Sequence, residues 1–216
     1  MSVRALSRED DDSTLIVLAR HGQSTYNVER RYRGRADPPL DATGVRQVER
    51  LGEAVALFEP TAIYTSPRRR TQSTAAAVAH ATGLASAVRE DIDDLDYGWW
   101  TGKTPDDVEA EWPAEHGLWL NAPEKLTLPG GEAVAAAQAR LWNAVLALGA
   151  AHPRQTIVAV THDVAVRLIV CSVLAAPLAS IHAIRIETAS TSAIELGRSR
   201  TRLAWLNNTS HLVAPS

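Results

Sequence analysis

Short apolar runs that stop abruptly alternate along this chain with segments whose apolar residues return every three or four positions. Leu15 to Ala19 is continuously apolar and halts at Arg20, which predicts a buried strand. Thr43 can cap a helix in which Val45, Val48, Leu51 and Val55 recur at helical spacing. Ala62, Ile63 and Tyr64 predict a second strand, cut by Ser66-Pro67, where another helix can begin with proline in its first turn. Ala85 to Val88 is a weaker strand candidate. Glu132 to Leu148 reads as a helix. Thr156 to Val160 reads as a strand that ends at Thr161-His162 and feeds a helix reaching about Leu174. Ile181 to Ile186, Ser192 to Leu196 and Arg202 to Leu206 predict a run of late strands.

Between Asp96 and Gly131 the texture changes. Trp99, Trp100, Trp112 and Trp119 fall there among several prolines and glycines, so an excursion or cap over residues 96–131 is expected on one face of the core. Strands alternating with helices argue for an α/β fold, a three-layer sandwich with a largely parallel central sheet. One domain over residues 14–212 accounts for the pattern. Residues 1–13 are polar, carry Glu9, Asp10, Asp11 and Asp12, and are expected to be a frayed tail, as is Val213 to Ser216. Ligands of such sheets sit beyond the carboxyl ends of the strands. Two predicted strand ends here carry Arg20-His21 and Thr161-His162.

Composition removes several function classes. A net charge of -3 gives no bulk reason to expect a nucleic acid or an anionic membrane as partner. No segment is apolar over a length that would span a bilayer, and the acidic start is wrong for a secretory signal, so a cytoplasmic protein is expected. The single cysteine, Cys171, lies in an apolar run and is expected to be an inert core thiol; it excludes an intrachain disulfide. Oligomeric state is left open.

The chemistry-bearing residues form an ordered series. Leu18-Ala19-Arg20-His21-Gly22-Gln23-Ser24 is followed by Asn27, Gly34, Asp37, Pro39 and Leu40. Next come Ser66-Pro67-Arg68-Arg69-Arg70-Thr71-Gln72-Ser73-Thr74-Ala75, then Asp94-Leu95-Asp96-Tyr97-Gly98-Trp99-Trp100-Thr101-Gly102. Leu128-Pro129-Gly130-Gly131-Glu132 and Val160-Thr161-His162 complete it. The series, five motifs in order from about Leu15 to Arg167, resembles the histidine phosphatase superfamily, also called the phosphoglycerate mutase-like family. The resemblance implies a phosphoglycerate mutase-like sandwich and a phosphohistidine formed on His21, with no cofactor.

The residue types suit that chemistry. A neutral imidazole is a nucleophile near pH 7, and its attack splits hydrolysis into two displacements through a covalent intermediate. Arg20 and Arg70 offer guanidinium forks that match phosphate oxygens. His162 and Asn27 can add further donors. Arg68 and Arg69 are expected to be solvated. By the resemblance, the backbone carbonyl beside Gly22 holds the other nitrogen of His21. Gln23, Arg33, Gly34 and Asp163 are candidates for substrate contact. No spacing of His, Cys, Asp or Glu makes a metal site, and the chemistry calls for none. His80, His116, His152, His182 and His211 have no motif around them and are expected at the surface or satisfied in the core.

Two departures stand out. Members of the resembled family usually carry Glu where this chain has Asp94, the expected general acid. Asp163, directly after His162, is the rival, as in the acid-phosphatase and phytase branch, although it can also cap the following helix. Asp93 and Asp96 are expected at the surface or as caps. Arg33 stands where relatives commonly have Gln, and with Arg30, Arg31 and Arg35 it forms a basic loop beside the nucleophile. The resulting expectation is a phosphatase acting on a small-molecule phosphate ester. The alternatives are a mutase-type phosphoryl transferase and a non-catalytic phosphate-binding module. Acidic residues outnumber basic ones in the cap, and its tryptophans offer ring-binding faces or, equally, buried anchors. Together they lean toward a monophosphate with a largely uncharged body.

Overall fold

The computed structural model describes residues 13–213. One six-stranded sheet runs in the order β3-β2-β4-β1-β5-β6, comprising β1 Thr14–Arg20, β2 Ala62–Thr65, β3 Ser86–Val88, β4 Thr156–Thr161, β5 Thr191–Leu196 and β6 Thr201–Asn208. The first four strands in that order pair in parallel, whereas β5 and β6 add antiparallel at one side. The seven α-helices among the described residues are α1 Thr25–Val28, α2 Ala42–Ala56, α3 Arg69–Thr82, α4 Pro105–Glu111, α5 Pro113–Asn121, α6 Val134–Ala151 and α7 Asp163–Leu174.

The uniform apolarity of β1 and β4 is explained by burial on both faces. Ile16 and Leu18 of β1, with Ile157 and Ala159 of β4, join a core with α6, α7 and the cap. Their alternates Val17, Ala19, Val158 and Val160 pack with Leu51 and Val55 of α2 and Ala75 and Val78 of α3. The period of two therefore assigns each strand residue to one of two cores, giving three layers. No helix among the described residues is long and apolar enough to cross a membrane.

Several boundaries differ from the sequence expectation. Helix α2 is capped by Asp41, whose Oδ1 accepts from the Gly44 N–H at 2.8 Å, and not by Thr43. Val45 shares its periodicity but stays exposed. Arg68 is the N-cap of α3, so Pro67 lies before the helix and not in its first turn. The segment Ile181 to Ile186 is not a strand. Leu178–Ala183 forms a 3-10 helix after Pro177, burying Leu178 and Ile181 on one side, while β5 takes the sheet position beside β1. The frayed-tail expectation falls on residues 1–12 and 214–216, outside the described residues, except at two positions. Val213 is exposed, but Ser13 is fully buried and donates from Oγ to Glu195 at 2.7 Å.

The cap is built from α4, α5 and 3-10 turns on the α6–α7 side of the sheet. Trp100 and Trp119 are buried there, and Tyr32 and Tyr97 lie against Trp119 with ring centroids 6.4 and 5.9 Å away. Only Trp99 of the four cap tryptophans is exposed. Most of the aromatic surface expected to meet a ligand ring thus anchors the cap. Cys171 is buried in the same core, and burial raises its thiol pKa.

Candidate active site

Three neighbouring parallel strands, β2, β4 and β1, deliver their carboxyl ends to one edge of the sheet. Arg20 pairs in register with Thr161, so His21 and His162 emerge side by side with ring centroids 5.4 Å apart. Thr65 pairs with Val160, which places Ser66 and the first turn of α3 on the other flank. Strand β3 then leads through a 3-10 turn to Asp93 and Asp94, and Thr161 Oγ1 ties that turn down by donating to the Ile92 carbonyl at 2.7 Å.

His21 is completely buried. Its Nδ1 lies 2.6 Å from the Gly22 carbonyl, to which it donates, because a carbonyl can only accept. The lone pair is thereby left on Nε2, which faces Arg70. Gly22 is required here by space: a Cβ would lie 2.6 Å from Val48 Cγ1 and 2.8 Å from the Gly44 carbonyl. Burial, followed by the charges of Arg70, His162, Arg20 and Arg33, holds the imidazole well below its ordinary pKa of 6.5. It stays neutral at physiological pH.

Arg70 is the hub. It donates from Nε to His21 Nε2 at 3.2 Å and from Nη2 to Asp94 Oδ2 at 3.2 Å, to His162 Nδ1 at 3.0 Å and to the Gly34 carbonyl at 2.8 Å. Its Nη1 donates to the Ala36 carbonyl at 2.6 Å. The Gly34 carbonyl can be offered this way because that residue sits at φ +47°, where a Cβ would press on the Leu95 carbonyl at 2.9 Å. Arg20 is also buried; its Nη1 donates to the Ile186 carbonyl and lies 3.5 Å from Asp163, while its Nε has no hydrogen-bond partner among the described residues. Burial lowers its pKa to about 10, still leaving it charged near neutrality.

The two candidate acids have different surroundings. Asp94 is buried with Oδ2 3.6 Å from His162 Nδ1, inside the cluster. Asp163 is the first residue of α7, after the N-cap His162, and its carboxylate is clasped by Arg167 at 2.6 and 3.1 Å. Asn27 accepts from the Ser24 N–H and Oγ through Oδ1, at 3.0 and 2.8 Å, and its amide nitrogen has no acceptor among the described residues. Gln23 donates its amide to Asp41 at 3.0 Å and so braces the start of α2. Arg33 acts electrostatically on Arg20, His21 and Arg70, yet its buried Nε has no hydrogen-bond partner among the described residues.

Four contributors escaped the motif reading. Asp93, expected at the surface, is buried; Arg68, expected to be solvated, grips it with Nη2 at 2.6 Å and Nε at 3.0 and 3.1 Å. Tyr97 is buried, its hydroxyl has no hydrogen-bond partner among the described residues, and it senses the charges of Asp94, Arg33 and Asp163. Arg140 of α6 donates to the carbonyls of Asp91, Asp93 and Asp94 and pairs with Glu132, which gives the Pro129-Gly130-Gly131-Glu132 motif a supporting task. Of the motif-free histidines, His152 meets Tyr64, His182 the Trp119 carbonyl and His211 the Ala189 carbonyl. His116 is buried beside Trp100, and His80 is exposed. Among the described residues, no group of three or more His, Cys, Asp or Glu is placed to hold a metal ion.

The family model for the histidine phosphatase superfamily (branch 1) matches residues 16–209. The chain belongs to that superfamily. A phosphoserine phosphatase 1 from Hydrogenobacter thermophilus is 31% identical over 91% of this chain and 93% of its own. The structure of Bacillus stearothermophilus YhfR superposes with a TM-score of 0.87 at 29% identity, covering 93% of this chain and all of the other. A mycobacterial glucosyl-3-phosphoglycerate phosphatase gives a TM-score of 0.83 at 26% identity, covering 91% of this chain and 100% of the other. These histidine phosphatase relatives support a phosphatase on the present chain, and the fold is phosphoglycerate mutase-like.

Proposed function

We propose that this protein hydrolyses a small phosphate monoester through a phosphohistidine on His21, without a metal. The observation that carries the reading is the orientation of His21. Its Nδ1 is occupied by the Gly22 carbonyl, which leaves the Nε2 lone pair turned toward Arg70 and His162. A phosphoryl group placed against Nε2 is attacked in line, while Arg20, Arg70, His162 and the Asn27 amide gather its equatorial oxygens. Arg33 lends a further positive charge. Asp94 protonates the departing alcohol and then takes a proton from the water that attacks phosphohistidine. Asp163 is neutralised by Arg167 and serves to hold Arg20.

The test is brief exposure of the protein to an aryl phosphate, acid or alkali quench, and mapping of phosphate by mass spectrometry. Acid-labile, alkali-stable phosphate on His21 is expected, and it should be absent from His21→Ala together with turnover. Retained turnover in that variant overturns the mechanism.

A further inference from the structure

His162 has two chemically different sides. Its Nδ1 looks into the cage, 3.0 Å from Arg70 Nη2 and 3.6 Å from Asp94. Its Nε2 looks away from the cage, 2.7 Å from Ser66 Oγ and 3.5 Å from Asp93 Oδ1. A guanidinium can only donate, so Nδ1 accepts and the ring proton resides on Nε2. In that form His162 offers a phosphate oxygen a lone pair, which is repulsive. For the ring to serve the cage it must gain a proton on Nδ1 and become imidazolium.

The far side is built for that charge. Asp93 is 3% exposed and is held by three hydrogen bonds from Arg68 and by one from the Asp94 N–H at 2.9 Å. Burial would raise its pKa, but His162 and Arg68 reverse this and hold it well below the ordinary carboxylate value, so it is ionised. The charged and titratable groups facing the ring are Asp93 and Asp94 from the loop after β3, Arg70 from α3 and His21 from the end of β1. Arg68 stands behind Asp93, and Asp163 is turned to Arg167.

We propose that Asp93, anchored by Arg68, is a positioning residue that sets the proton affinity of His162, so that each bound phosphate dianion draws one solvent proton onto His162 Nδ1. The new Nδ1–H donates to the phosphate, Nε2–H donates toward Ser66 and Asp93, and the proton returns to water when phosphate leaves. This inference rests on reading the pocket as a phosphate cage.

Titration calorimetry with inorganic phosphate at pH 8, in two buffers of different ionisation enthalpy, measures the proton directly. The wild type should take up close to one proton per phosphate. Asp93→Asn should lose that uptake, bind phosphate about tenfold more weakly, and move the alkaline fall of kcat/KM down by about one pH unit. Arg68→Gln, which leaves Asp93 charged and unneutralised, should move the same limb upward. Opposite displacements from two halves of one ion pair are electrostatic, because damage to the fold would not separate them by sign. Unchanged uptake in a folded Asp93→Asn protein, or limbs moving the same way in both variants, overturns the inference and leaves the phosphatase reading intact. If Asp93→Asn fails to fold, the direction in Arg68→Gln decides alone: upward supports the inference, unmoved or downward overturns it. Failure of the wild type to bind phosphate overturns both readings.

Discussion

Arg70 Nε points its proton at His21 Nε2 across 3.2 Å, so a fully buried guanidinium faces the ring nitrogen that the proposed mechanism uses as nucleophile. The same guanidinium holds Asp94, His162 and two loop carbonyls. Arg70→Lys keeps the charge but not the fork, and an ammonium cannot hold these partners together. A fall of about 100-fold or more in kcat/KM is expected from steady-state assays. Activity within a few-fold of wild type would remove Arg70 from the cage.

Asp94 and Asp163 separate by leaving group. Asp94→Asn should slow alkyl phosphates by about 10²- to 10³-fold while sparing aryl phosphates with good leaving groups, since these need little protonation. Asp163→Asn should act mainly on KM, equally for both ester types, because it loosens Arg20. The reverse ranking transfers the acid to Asp163.

Acid should act on stability before it acts on the carboxylates. His21, His162 and His211 all have pKa values lowered chiefly by burial, so the unfolded chain binds protons that the native state refuses. Stability is full above the ordinary histidine value of 6.5 and falls as pH drops below it. A second loss should begin below the ordinary Asp value of 3.8, where Asp93 must take a proton. Urea unfolding at a series of pH values reads both windows, and His21→Asn should be visibly less sensitive in the first. A native state equally stable at pH 7.5 and pH 5 would contradict the buried neutral imidazoles.

Among the described residues Arg33 has neither acid nor carbonyl partner for its Nε, so its charge is available to an anion. Arg33→Gln should raise KM about tenfold with little change in kcat, and should flatten the salt dependence of kcat/KM. Unchanged KM across a panel of phosphate esters would make Arg33 a bystander.

The cap tryptophans divide by burial. Trp100→Ala removes a fully buried indole and should cost ~3–5 kcal/mol in urea unfolding. Trp99→Ala, at 64% exposure, should stay within about 0.5 kcal/mol. If Trp99→Ala instead raises KM for ring-bearing esters, the ring-binding expectation survives at that one residue.

Short apolar runs and their abrupt ends were enough to read the α/β layers, because strand burial restricts which residue types can stand there. His21, Arg20, Arg70, His162 and Asp94 were candidates through the resemblance that the ordered motifs carry, and the fold brings them together at one end of the sheet. The reading failed where a side chain's surroundings come from distant segments. Asp93 and Arg68 looked like surface charges, since each is ordinary in its own neighbourhood; they are joined only when the turn after β3 is folded against the start of α3. Ile181 to Ile186 has strand composition, but β5 takes the place beside β1 and leaves that segment to wind as a 3-10 turn. Asp163 follows His162 in the chain, and its carboxylate lies between Arg167, one helical turn later, and Arg20 from the end of β1, a neighbour that only the packing supplies. Local pattern records which face of an element is buried. Pairing between charges far apart in the chain, such as Arg68 with Asp93 and Arg70 with Asp94, depends on how the elements pack.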